Sequence, residues 1–271
     1  MTWLISVSFY LGVVLYSVAA TLFLVDLGRT GVAQSAKSGP RVLGAASVAH
    51  AAHIFAASWV TQVSPVESLQ YALSASALIA CWVFLALRLR LRIDAMGVII
   101  SPLGLSFMVG AQFVRAGPPS EPVSRSLLAA HVTANLLGFG LFLMAGAAGL
   151  SYLLQERRLK AKRRLGGISR MPALDTLDRT EHRLLVAGFI LLTLGVVTGA
   201  AFSTQLSQAG AVQQLRAALA YVTWVVVAVV LVLRGLAGWR GRRAAYGTLA
   251  GVIGLMLVLT SYVVSAARGL L

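Results

Sequence analysis

Four histidines offer coordination or proton chemistry in this chain: His50, His53, His131 and His182. His50 and His53 are three residues apart in "VAHAAHIF", so a helix carries both on one face. His131 sits one turn inside an apolar run, "SLLAAHVTANLLGFG", and Asn135 follows four residues later on the same helical side. A neutral imidazole is a good ligand for iron, zinc or copper. It is also costly to bury in a hydrocarbon setting without a partner, which makes each of these three a functional candidate. The competing role is a packing histidine held by Asn135, a serine or a backbone carbonyl. His182 differs, because it lies between Glu181 and Arg183 at the edge of an apolar run and reads as solvated.

Other chemistry finds little support. Cys81 is the single cysteine and lies inside an apolar run, so neither a disulfide nor a CxxC site is available. No HExxH, Walker motif or serine–histidine–acid set is present. Asp26, Glu67 and Asp94 all fall at the edges of apolar runs, which argues against an acidic proton relay inside the bundle.

The elements that must position these histidines follow from composition. Of 271 residues, 58% are hydrophobic and 11% charged. Eight apolar runs recur, near 4–26, 42–62, 68–88, 94–114, 127–154, 183–204, 214–233 and 244–267. About 20 apolar residues cross a hydrocarbon layer as a helix. The runs are continuous rather than alternating, so helices are expected and a barrel is not. The expected fold is all-α: a polytopic membrane helix bundle forming a single integral membrane domain over 1–271.

The formal net charge of +15 does not point to nucleic acid, because the charges sit in the connections. Nineteen of the 23 Lys and Arg residues fall in the first, third, fifth and seventh connections, and four on the other side. The positive side of a membrane protein faces the cytoplasm, so both termini are expected outside. The first run has no basic residue before it and reads as a retained helix rather than a cleaved signal. The basic connection 155–182 reads as a cytoplasmic loop on an anionic lipid surface. Gly195 and Gly199 form GxxxG in the sixth run, as do Gly247 and Gly251 in the eighth, and both permit close helix contact. Pro102 and Gly104 predict a bend in the fourth.

Several segments together resemble the CcsA/HemX-like cytochrome c assembly membrane proteins. They are "AHAAHIFAASW", "SPVESLQYALSASALIACWVFLALRLR", "LLAAHVTANLLGFGLFLMAGAAGLSYLLQERRLK", "LDTLDRTEHRLLVAGFILLTLGVVTGA" and "GWRGRRAAYGTLAG", in that order between residues 45 and 262. The resemblance implies heme handling in the cell inner membrane, with heme b as the cofactor. His131 matches the family's external histidine, and His53 or His50 one within the membrane. The lipid bilayer and other cytochrome c maturation proteins are the implied partners.

The chain departs from the larger members of that family. The segment "AAFSTQLSQAGAVQQLRAALAYVTW" has no Trp–Asp pair, and no histidine follows His182. The short HemX-like branch is therefore the better match. The outer connection 205–213, "QLSQAGAVQ", has no aromatic surface for a porphyrin. The expectation is a protein that holds, moves or senses heme and does not by itself attach it to apocytochrome c. A small-molecule permease and a non-heme partner subunit of the same fold are the alternatives.

Overall fold

The computed structural model describes residues 2–28, 38–66, 68–91, 93–114, 125–161, 172–200 and 211–267. Eight helices in it are long and apolar enough to cross a membrane. They are α1 (Thr2–Gly28), α2 (Ser38–Thr61), α3 (Leu69–Leu87), α4 (Gly97–Gly110), α5 (Arg125–Lys160), α6 (Leu174–Ala200), α7 (Ala211–Leu236) and α8 (Arg242–Ala267). Short 3-10 turns flank α4 at Asp94–Met96 and Ala111–Phe113, and with them the fourth span reaches 20 residues. The described residues form no strand. The all-helical bundle and its eight spans are as expected.

Two helices extend beyond their apolar runs, as the basic residues after the fifth run and the helix-start signals in "PALDTLDRTEHRLL" predict. The basic stretch after the fifth run continues α5 to Lys160, because Glu156 and Lys160 pair at helical spacing over 2.7 Å. α6 begins at Leu174, nine residues before the apolar run, with Pro172 just ahead of it and Asp175 in its first turn. That earlier start carries Asp178, Glu181 and His182 into the helix. Glu67, Arg115, the Gly166–Gly167 pair and residues 205–210 lie outside the described residues.

Contacts between neighbouring helices fix an up-and-down order. Gly138 packs on Leu191 and Gly188 on Phe142, so α5 and α6 run antiparallel. Val230 enters the space at Gly247 and Val227 that at Gly251, so α7 and α8 do too. A Cβ at either α8 glycine would meet the valine at 2.6 or 2.7 Å, which is the close approach that the GxxxG spacing predicts. Gly97 and Gly104 of α4 meet Phe23 and Tyr16 of α1 in the same antiparallel sense.

α5 is the central helix. Its Phe142, Met144, Ala145 and Ala148 are fully buried, in one apolar cluster with Tyr16, Phe84, Met96, Leu177 and Leu185. The outward faces of α1, α7 and α8 expose Val, Leu and Ile, which is what hydrocarbon surroundings favour.

The described helix ends that flank the basic connections gather at one end of the bundle. There Arg88 Nε pairs with Asp94 Oδ1 over 2.8 Å. The starts of α1, α3, α5 and α7 lie at the opposite end, with the C-terminal ends of α2, α4, α6 and α8.

Candidate functional site

The three membrane histidines fall in two neighbourhoods. His50 and His53 sit among α1, α3 and the end of α4, whereas His131 faces α6. No described hydrogen bond or ring contact joins His131 to either of the others, and no group of three or more His, Cys, Asp or Glu residues is clustered for a metal ion among the described residues.

His50 is fully buried and satisfied on both ring nitrogens. Ser74 Oγ lies 2.7 Å from Nε2 and Tyr16 Oη lies 3.1 Å from Nδ1. The Tyr16 hydroxyl in turn donates to Cys81 Sγ over 3.6 Å. One set of protons suits all three contacts. Tyr16 gives its only proton to sulfur, so it accepts from His50 Nδ1–H, and Ser74 donates to Nε2. Gly104 leaves room for this chain, since a Cβ there would meet the Tyr16 ring at 2.6 Å and Cys81 Sγ at 3.1 Å. An iron atom cannot reach His50 without displacing Ser74 or Tyr16.

His53, one turn on, is only 5% exposed but lines an open cavity. The cavity is about 440 Å³, and Ile5, Phe9, Tyr10, His53, Gln112 and Phe113 line most of it. His53 Nδ1 lies 3.1 Å from the Ile5 carbonyl, and Nε2 lies 3.1 Å from the Gln112 side-chain amide. A carbonyl only accepts, so the proton belongs on Nδ1. The neutral ring then has its lone pair at Nε2. Metal-binding histidines commonly donate their other N–H to a carbonyl in this way, which fixes the ring and its tautomer. Phe9 leans against the imidazole at 5.3 Å between ring centres.

His131 lies 3.0 Å from Thr198 Oγ1 through Nδ1. The Thr198 hydroxyl donates to the Leu194 carbonyl over 2.7 Å, so it accepts from His131. Asn135 Nδ2 donates to the His131 carbonyl over 2.8 Å and lies 3.3 Å from His131 Nε2. The GxxxG of α6 receives this polar pair rather than an apolar one. A Cβ at Gly199 would meet His131 Cε1 at 3.1 Å, and one at Gly195 would collide with the Asn135 amide.

Glu181, at the start of α6 and ahead of the sixth apolar run, is 0% exposed, a burial that the sequence does not show. Thr248 donates to Glu181 Oε1 over 2.6 Å, and Arg234 Nη1 approaches the same oxygen at 3.8 Å. Arg234 Nη2 pairs with Asp178 Oδ2 over 2.8 Å and also donates to the Asp178 carbonyl over 2.7 Å. Asp178 Oδ1 accepts from the backbone N–H of Gly241, whose φ of 61° suits glycine. This cluster ties the "LDTLDRTEH" and "GWRGRR" segments together at the basic end. His182 beside it is half-buried rather than solvated, with a buried Nδ1 that has no hydrogen-bond partner among the described residues. Gln112, Tyr16 and Ser74 were the other residues missed. Gln112 alone left a signal, as an amide inside an apolar run.

These features define a multi-pass helical membrane protein that holds imidazoles in the half of the bundle away from its basic connections. The chain belongs to the cytochrome C assembly protein family, whose model matches residues 45–269. It is 25% identical over 190 residues to the cytochrome c biogenesis protein CcsA of Parasynechococcus marenigrum (strain WH8102), covering 60% of this chain and 61% of the relative. It is 30% identical over 125 residues to the protein HemX of Brevibacillus brevis, covering 44% and 46% of the two chains. The chain thus matches about three-fifths of the length of the CcsA relative and less than half of HemX.

Proposed function

We propose that this chain is a heme-handling protein of the cell inner membrane that serves cytochrome c maturation and binds heme b through His53. Membership of the cytochrome C assembly family supports the role. The observation that carries the site is the state of His53. Its Nδ1 proton is anchored on the Ile5 carbonyl, and its Nε2 lone pair lies at a cavity of about 440 Å³ with aromatic side chains around it.

The residues present suit an iron porphyrin. Imidazole is an ordinary axial ligand, and Phe9, Tyr10 and Phe113 offer flat apolar contact. The Ile5 carbonyl holds the ring in place and raises its basicity. Bound heme supplies the iron porphyrin that cytochrome c maturation consumes. His131 is the second ligand candidate, at the same end of the bundle but on α5, facing α6. The basic end faces the cytoplasm in this reading, so both histidines lie in the outer half. His50 serves packing. The short outer connection leaves attachment to apocytochrome c to another maturation protein.

Purification from heme-replete cells followed by an absorption spectrum tests this. The wild type carries a Soret band, and His53→Ala lowers bound heme by about tenfold or more. A heme-free wild type would refute the reading and favour the non-heme partner subunit. A full-strength, unshifted band in both His53→Ala and His131→Ala would refute the ligand assignment.

A further inference from the structure

Each of two imidazoles, His53 and His131, presents its Nε2 to a side-chain amide. The two amides are held very differently. Asn135 is tied to the carbonyl of its own helix at 2.8 Å and wedged against Gly195, where no Cβ would fit beside it. Gln112 is on the 3-10 turn Ala111–Phe113, beyond the regular part of α4. Such turns hold their backbone with poorer hydrogen-bond geometry than an α-helix. Its longer side chain reaches His53 across the cavity that both residues line. The open side of that cavity is flanked by Tyr10 and Phe113, which are 67% and 75% exposed.

The direction of this hydrogen bond is set by the Ile5 carbonyl. With the proton on Nδ1, only a donor can bind Nε2, and the Gln112 amide is that donor. An iron atom needs the same lone pair. We propose that Gln112 is a displaceable cap on His53, holding Nε2 in the ligand-free protein and turning aside when the iron of a porphyrin coordinates. Gln112 therefore sets the affinity of the site. The exchange is assigned to His53, whose amide is the one not tied to its own helix. This inference rests on the heme reading above.

Hemin titration of the purified full-length protein in nanodiscs tests it, with wild type, Gln112→Leu and His53→Ala side by side. A net hydrogen bond is modest, so Gln112→Leu tightens hemin binding by about three- to tenfold. In the hemin-free protein, diethylpyrocarbonate modifies His53 faster in Gln112→Leu than in wild type. Gln112→Ala replaces the leucine variant if the latter fails to fold. Unchanged or weaker hemin binding in the Gln112 variant, with His53→Ala still deficient, overturns the cap and leaves the heme reading intact. An unchanged modification rate also overturns it. Equal binding by wild type and His53→Ala, or no binding by any of the three, overturns the cap together with the reading beneath it.

Discussion

His131 of α5 packs against Gly199 of α6 so closely that a Cβ there would lie 3.1 Å from the imidazole. Four residues earlier, Gly195 gives the same clearance to Asn135, more tightly still. The pair of glycines thus admits a pair of polar side chains into a helix interface. Gly195→Ala should force Asn135 out of place and cost about 1–3 kcal/mol. Gly199→Ala should cost less, because the imidazole can yield by a few tenths of an ångström. Thermal unfolding in detergent, with both variants compared to wild type, checks the order.

His50 is expected to behave as a structural residue. His50→Ala leaves Ser74 and Tyr16 without their ring partner in a fully buried site. An unsatisfied buried group costs about 1–3 kcal/mol. The variant should therefore melt earlier while retaining any heme that the wild type carries. Heme content and melting temperature on the same preparation check this, and loss of heme at unchanged stability would contradict it.

The Asp178–Arg234–Glu181 cluster should matter for stability more than any other charged group. The Arg234 side chain is 5% exposed, and its removal leaves Glu181 and Asp178 without their cation. Breaking a buried pair from one side costs about 3–5 kcal/mol. Arg234→Ala should consequently lower expression of folded protein sharply. Arg179→Ala, which removes an exposed pair with Asp175, should change little. Quantifying folded protein by size-exclusion of detergent extracts distinguishes the two.

Reporter fusions check the orientation. Fusions within 27–41, 88–94, 155–182 and 234–243 should report the cytoplasm, since 19 of the 23 basic residues lie on that side. A fusion within 116–125 should report the outside, and a cytoplasmic signal there would reverse the topology.

Attachment of heme to apocytochrome c is the last expectation. Proximity of the thiol to the heme vinyl group supplies much of such a rate, and the segment 205–213 has no aromatic surface to hold a porphyrin for it. Co-expression with an apocytochrome c reporter, in a host stripped of its own maturation system, should yield no covalent heme. Covalent heme lost on His131→Ala would show a synthase that works without an aromatic surface in that connection.

The sequence by itself determined the eight spans and which histidines fall within them. Apolar length is a local property, and hydrocarbon thickness imposes it on every span separately. The spacing of His50 and His53 likewise places both on one helical face. It could not tell them apart, because their partners come from other helices. His50 meets Tyr16 across 34 residues and His53 meets Gln112 across 59. The same holds for Glu181, which looks like the edge of a polar connection until Thr248, 67 residues later, closes over it. GxxxG announced a close contact at Gly195 and Gly199 but not what would fill it. Only the tertiary structure decided which imidazole is enclosed by Tyr16 and Ser74 and which borders a cavity with Gln112 at its Nε2. Hydrogen-bond satisfaction is a property of the assembled interface, where each buried polar group must find a partner from whichever helix lies next to it.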